Sequence, residues 1–168
     1  MGAHLRVNHA GEAGAIQIYR AQRWICRWRA PELLPLLTLF QADEERHLAA
    51  FEVHRRRLGE PVCGTLRLCQ VGGWALGAFS ALWGRQGVAA CTEGVEAIVL
   101  AHLREQRTLI IEQGDLALLA CLESIIEDEQ VHHDADVTAG ARQESYRWLR
   151  QLATQATRGV IALGLRAR

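Results

Sequence analysis

The segment Asp43-Glu44-Glu45-Arg46-His47 and its counterpart Asp128-Glu129-Gln130-Val131-His132 constrain this chain more than anything else in it. Both carry Glu-x-x-His inside the frame D-E-x-x-H. Three residues of α-helix turn through about 300°, so each Glu and His stand about 60° apart on one face, one turn along, and both reach one metal ion. One such motif is weak evidence, because glutamate and histidine meet at this spacing on ordinary solvated helices. Two copies in one frame are stronger.

A four-helix site for two metal ions needs one more glutamate from each of two other helices. Glu12 precedes Glu44 by 32 residues and Glu96 precedes Glu129 by 33, and the two halves are offset by 84 and 85 residues. Antiparallel helices joined by a short turn bring residues at such separations to one height. The candidate ligands are therefore Glu12, Glu44, His47, Glu96, Glu129 and His132, three from each of two helical hairpins. Glu44 and Glu129 are the expected bridging pair, Glu12 and Glu96 the terminal pair, with one histidine per metal. Four carboxylates balance the charge of two divalent ions, which lets the site be buried. Carboxylate oxygen and imidazole nitrogen suit iron or manganese and leave positions open for dioxygen.

Nearby residues compete less well. Glu93 stands 36 residues before Glu129 and fits the repeat poorly. His9 has no counterpart in the second half, and His133 points about 100° away from His132. Asp43 and Asp128 are candidates to hold the ligands from outside, although spacing alone assigns them no partner.

The rest of the sequence supplies an all-α frame. Among 168 residues there are three prolines, none after Pro61, and no polar–apolar alternation that competes for strand. Nineteen basic residues, all arginine, balance nineteen acidic ones, which leaves no electrostatic case for nucleic acid as a partner. The lack of lysine excludes Schiff-base chemistry and a lysine-bearing phosphate loop. Five scattered cysteines without a C-x-x-C pair read as free thiols of a reducing compartment. The opening MGAHLRVNHAGE has no apolar signal-peptide core, and a trimmed leader remains compatible with it.

Periodicity and stop signals predict helices from about Leu5 to Arg29 and from the Pro31 turn to about Leu58. Others run from about Val88 to Gln113, from the Gly114-Asp115 stop and cap to about Thr138, and from Gln143 to Leu165. A break is expected at Arg85-Gln86-Gly87. The organisation is one domain over residues 1–168: a helical hairpin over 4–58, a crossover helix over 66–84, a second hairpin over 88–139 and a C-terminal helix over 143–165. In the crossover, VGGWALGAFSALWG (residues 71–84) carries no charge and many small residues. Fourteen residues fall short of the roughly 20 that a membrane-spanning helix needs. The segment reads either as a core helix whose glycines permit close approach, or as a helix on a membrane surface with Trp74 and Trp83 near its ends. Arg55-Arg56-Arg57 reads as a solvated helix end that also suits lipid phosphates.

With these residues in place, the chain resembles the demethoxyubiquinone hydroxylase family, ferritin-like di-iron monooxygenases of ubiquinone biosynthesis. The carrying residues are Leu5-Arg6-Val7-Asn8-His9-Ala10-Gly11-Glu12, Glu44-x-x-His47, Ala75-Leu76-Gly77-Ala78, Ala90-Cys91-Thr92 with Val95-Glu96, and Asp128-Glu129-x-x-His132-His133-Asp134. The resemblance implies a ferritin-like four-helix bundle and two Fe ions on the six ligands. It implies insertion of one oxygen atom from O2 into the ring of a polyprenyl demethoxy-quinol, and it admits NADH as reductant. It also implies a peripheral seat on a membrane surface. That is the cytoplasmic face of a bacterial inner membrane, or the matrix side of the mitochondrial inner membrane where a leader has been trimmed. A homo-oligomer or a lipid-binding protein is compatible as partner.

There are departures from the family pattern. Ala13 stands where the family often has an aromatic residue, and Leu103 replaces a tyrosine of some members. His102 matches a histidine near the family's metals, but lies about 120° off the ligand face. Two other functions use the same residues: a ferroxidase or rubrerythrin-like peroxidase with soluble substrates, and a non-catalytic helical module binding quinone or lipid.

Overall fold

The computed structural model describes residues 1–138 and 143–166, and among them there is no strand. Six α-helices follow one another: α1 (Gly2–Arg29), α2 (Leu34–Arg57), α3 (Leu66–Ala81), α4 (Gly84–Gln113), α5 (Leu116–Thr138) and α6 (Arg147–Arg166). The all-α expectation holds, and the long helices arise where no proline interrupts the periodicity.

Several boundaries move for identifiable reasons. Pro31–Leu33 is a separate 3-10 turn, so α2 opens at Leu34. The break expected at Arg85-Gln86-Gly87 falls earlier, at Leu82–Trp83, and Gly84 with its positive φ (63°) opens the next helix. Arg85, Gln86 and Gly87 are helical. The crossover helix accordingly ends at Ala81 rather than residue 84. Gln143 is not helical, Glu144–Tyr146 is a 3-10 turn, and the expected hairpin end at residue 139 lies outside the described residues. Between α4 and α5 the expected stop and cap are both present. Gly114 takes the left-handed conformation, and Asp115 Oδ1 accepts from the Leu118 amide at 3.1 Å.

α1 packs antiparallel to α2, and α4 to α5. The third helix of each half then returns onto the first: α3 lies along α1, and α6 along α4. Small residues make both approaches close. A Cβ on Gly73 or Gly77 of α3 would overlap the backbone carbonyl of Gly14 or Ile18 on α1, and one on Gly94 of α4 would meet the Arg150 carbonyl of α6. The glycine-rich segment therefore packs by its glycines, as the core-helix reading expects. Its glycine edge is packed, while Val71 (71% exposed), Trp74 and Phe79 face outward.

Apolar plugs close the bundle at two levels. Leu5, Phe51, Leu103, Ile110, Leu118 and Leu122 form one, and Tyr19, Leu33, Leu37, Phe40 and Val88 belong to the other. Glu12, between Leu5 and Tyr19 on α1, marks the height of the polar layer between them. No helix among the described residues is long and apolar enough to cross a membrane.

Candidate metal centre

α1, α2, α4 and α5 deliver all six candidate ligands to that layer, where their residues are only 1–4% exposed. Ligand atoms of Glu12, Glu44, His47 and Glu129 lie within 4.8 Å of one another, and so do those of Glu96, Glu129 and His132. Glu129 belongs to both groups. Glu44 stands between the histidines, 3.8 Å from His47 Nδ1 and 3.5 Å from His132 Nδ1.

The outer faces of the imidazoles are fixed. His47 Nε2 donates to Asp128 Oδ2 at 3.0 Å, and His132 Nε2 donates to Asp43 Oδ2 at 3.0 Å. Each aspartate thus serves the histidine of the other motif, and Arg46 touches both, at 2.7 Å from Asp43 and 3.6 Å from Asp128. With Nε2 bonded to the aspartate, Nδ1 is the nitrogen that faces the carboxylate layer, where a metal ion would displace its proton.

Four buried atoms of the set, Glu44 Oε2, His47 Nδ1, Glu96 Oε2 and His132 Nδ1, have no hydrogen-bond partner. Buried polar atoms without partners are costly, and these are the atoms a metal pair would engage. Electrostatics agrees. Burial, then the Glu44 carboxylate, pushes the Glu12 carboxyl well above the usual range, and burial followed by Asp136 and Glu129 does the same to Glu96. Burial also raises Glu129, with Glu44 adding to it. Burial opposes charge on His47, yet the facing carboxylates of Glu129 and Glu44 push it up to about 12. Glu44 is held below the usual carboxylate range, because the two imidazoles outweigh its burial. This collection of acids needs about four positive charges at its centre, which two divalent ions supply. The residues fit such a pair.

Around the six stand residues that motif spacing missed. The Tyr19 hydroxyl donates to Glu96 Oε1 at 2.7 Å. Phe40 lies against His132 with ring centroids 3.9 Å apart. Asp136, one turn beyond His132, is buried beside Thr92 and Glu96, and burial pushes its carboxyl up to about 7. The signal was present, since Asp136 sits four residues after a ligand on the same face.

The competitors go elsewhere. Glu93 lies 3.7 Å from His133 and 3.6 Å from Arg150, and His9 pairs with Glu52 at 3.1 Å. His102 stacks on His4 at 5.3 Å and belongs to neither ligand group. Arg55 corrects the reading of its arginine run as solvated, because it is buried against Glu52 and the Glu60 carbonyl. All five cysteines are free thiols, four of them buried.

A cavity of about 130 Å³ opens from the carboxylates. Glu12, Glu44, Glu96 and Glu129 form its floor, and Ile18, Leu76, Val95 and Val160, from α1, α3, α4 and α6, are among its apolar walls. Half-exposed Leu68 of α3 and Ile161 of α6 also line it.

The family model described as ubiquinone biosynthesis protein COQ7 matches residues 1–164. The chain belongs to the COQ7 family. Among its relatives, the 3-demethoxyubiquinol 3-hydroxylase of Rhodospirillum rubrum is 36% identical over 141 residues, covering 83% of this chain and 65% of that protein. The mitochondrial NADPH-dependent 3-demethoxyubiquinone 3-hydroxylase of Caenorhabditis elegans is 29% identical over 163 residues, covering 95% of this chain and 86% of that protein. The human protein of the same name is 33% identical over 133 residues, covering 77% of this chain and 60% of its own length. This chain therefore matches just under two thirds of the length of the Rhodospirillum relative. The matched residues 1–164 include all six candidate ligands.

Proposed function

We propose that this chain is a di-iron quinol monooxygenase of ubiquinone biosynthesis, which hydroxylates the ring of a polyprenyl demethoxy-quinol. The observation that carries the reading is the cavity, an apolar passage floored by four acids suited to metal. A ferroxidase or peroxidase acting on soluble substrates has no use for such a passage. A quinone carrier has no use for buried acids, whose desolvation costs several kcal/mol each unless cations neutralise them.

Iron held by Glu12, Glu44, His47, Glu96, Glu129 and His132 would supply the two-electron activation of dioxygen. The chain's own residues do the rest. The cavity walls strip water from the quinol ring and aim it at the carboxylate layer, and the two apolar plugs keep bulk water out. Asp43 and Asp128 hold the histidines in one tautomer. The balance is quinol, O2, a nicotinamide reductant and a proton giving hydroxyquinol, water and oxidised nicotinamide. NADPH enters through the names of the relatives, and NADH satisfies the same balance.

A polyprenyl tail comes from a bilayer, and one face suits contact with it. Trp24, Trp28 (70% exposed) and Trp74 form a continuous patch, with ring centroids 5.9 and 6.3 Å apart. Arg20, Arg23 and Arg27 border Trp24 and Trp74 around a shallow cleft. Tryptophan at headgroup depth beside arginine for lipid phosphate is the pattern of a peripheral protein. The reading places the chain on an inner membrane, on its cytoplasmic or matrix face.

The test supplies iron-loaded protein with a short-tailed demethoxy-quinol, isotopically labelled dioxygen and NADH or NADPH. A product heavier by one labelled oxygen atom is expected, and Glu44→Ala or Glu129→Ala should abolish it and leave no more than one iron per chain. Ferrous oxidation with no quinol product across analogues and reductants would return the protein to the ferroxidase class.

A further inference from the structure

The repeat predicts a symmetric site, and Tyr19 is one place where the side chains break that symmetry. Tyr19 follows Glu12 by seven residues and Leu103 follows Glu96 by seven. They therefore hold equivalent register positions on α1 and α4, two turns past the terminal carboxylates. From α1, Tyr19 reaches across to Glu96 on α4, and its hydroxyl takes Oε1 at 2.7 Å, which leaves Oε2 as the oxygen without a partner. Tyr19 is only 2% exposed, and its ring is set edge-on to Phe40 at 5.9 Å and to His132 at 6.5 Å.

The equivalent position on α4 offers nothing comparable. Leu103 is 1% exposed, lines the same cavity as Glu12, and has no hydrogen to donate from its side chain. The charged groups that face Glu12 are Glu44, Glu129 and His47, all of them members of the ligand set. One terminal glutamate is oriented from outside the set, and the other by the set alone.

We propose that Tyr19 makes the two metal positions unequal. It fixes the position of Glu96, Glu129 and His132 from outside the ligand set, so that this position takes the first ion, while the position that includes Glu12, whose four side chains also lie together, has no such outside bond to its terminal glutamate. A ligand already held by a buried hydrogen bond to its charged oxygen gives up less freedom on binding, so its site binds more tightly. This inference rests on the reading that the six side chains hold two ions.

The test is a titration of the metal-stripped full chain with cobalt(II), followed by calorimetry and by the visible absorption of each bound ion. The native chain should bind in two resolved steps. Tyr19→Phe, which keeps the ring and its packing, should weaken the tighter step by about 10- to 100-fold, the range for losing a group that holds a ligand, and leave the other step unchanged. Leu103→Tyr, which restores a hydroxyl at the equivalent position, should tighten the weaker step. Circular dichroism reports that each variant is folded, and the Tyr19→Phe result decides even where Leu103→Tyr does not fold. Two ions bound with no change in either step in Tyr19→Phe would overturn the proposal and leave the two-metal reading intact. A native chain that binds no cobalt would overturn both.

Discussion

His132 on α5 donates an Nε2–H hydrogen bond to Asp43 on α2 across 3.0 Å, so the aspartate of one motif serves the histidine of the other. His47 and Asp128 repeat the exchange in the opposite sense. Because the bonds cross between α2 and α5, they tie the two hairpins together at the height of the ligands. Asp43→Ala and Asp128→Ala should each lower affinity for divalent metal by about 10- to 100-fold, and the double variant should lose more than either alone. Metal titration of the stripped variants checks this, and affinities equal to the native chain would show that the aspartates only decorate the surface.

Stability of the stripped chain should rise as pH falls from about 8 to 6.5. Asp136 is the clearest contributor, with its carboxyl pushed by burial up to about 7 from 3.8, and Glu12, Glu96 and Glu129 shift in the same direction. A carboxyl raised on folding favours the fold below its unfolded value and loses that contribution as pH rises through its folded value. His47, raised to about 12 from 6.5, adds in the same sense. Burial depresses His102 from 6.5 to about 4 and so opposes the trend, but only below about 6.5. Melting curves with chelator at the two pH values provide the check, and a higher melting point at pH 8 would contradict the prediction.

Metal should reverse that pH preference. Divalent ion at about a hundred times its dissociation constant stabilises by about 2.7 kcal/mol. The gap between loaded and stripped melting points should be widest near pH 8 and narrow toward 6.5, where protons compete for the same acids.

Two neighbouring glycines should behave oppositely. Gly73→Ala drives a methyl into the Gly14 carbonyl and should destabilise by about 1–3 kcal/mol or more, opening the α1–α3 contact. Gly72, one residue away, has nothing within 4 Å of an added Cβ, so Gly72→Ala should stabilise by about 0.4–1 kcal/mol. Chemical denaturation of both variants separates them, and equal effects would mean that α3 does not pack on α1 by its glycine edge.

These cases show what was legible in the sequence. Helical spacing sets an angle, so the convergence of the six candidate side chains and the hairpin pairing followed from residue numbers. The partner of Asp43 did not follow, because the crossed bond depends on how closely α2 approaches α5. Tyr19 was invisible for a related reason: a tyrosine at helical spacing looks like any core aromatic until its hydroxyl is placed. The sequence pattern marked a break at residues 85–87, but the turn falls at Leu82–Trp83, just before positive-φ Gly84. Arg55 misled because a charge run reads as solvated, whereas Glu52 and the Glu60 carbonyl pull it into the fold.

Replacing Trp24, Trp28 and Trp74 together by alanine should weaken sedimentation with anionic phospholipid vesicles by about tenfold or more, while metal content stays native. Trp28 is mostly exposed and Trp24 and Trp74 are half buried, so circular dichroism accompanies the assay to report that the variant is folded. Undiminished vesicle binding would move the membrane contact away from this patch.

The central claim, that six side chains from four helices converge on two metal ions, is tested most directly by anomalous X-ray diffraction from crystals loaded anaerobically with ferrous iron. The account predicts two iron peaks within the bundle. One would lie among Glu12, Glu44, His47 and Glu129, and the other among Glu96, Glu129 and His132. A single peak, or iron bound only outside this layer, would contradict it.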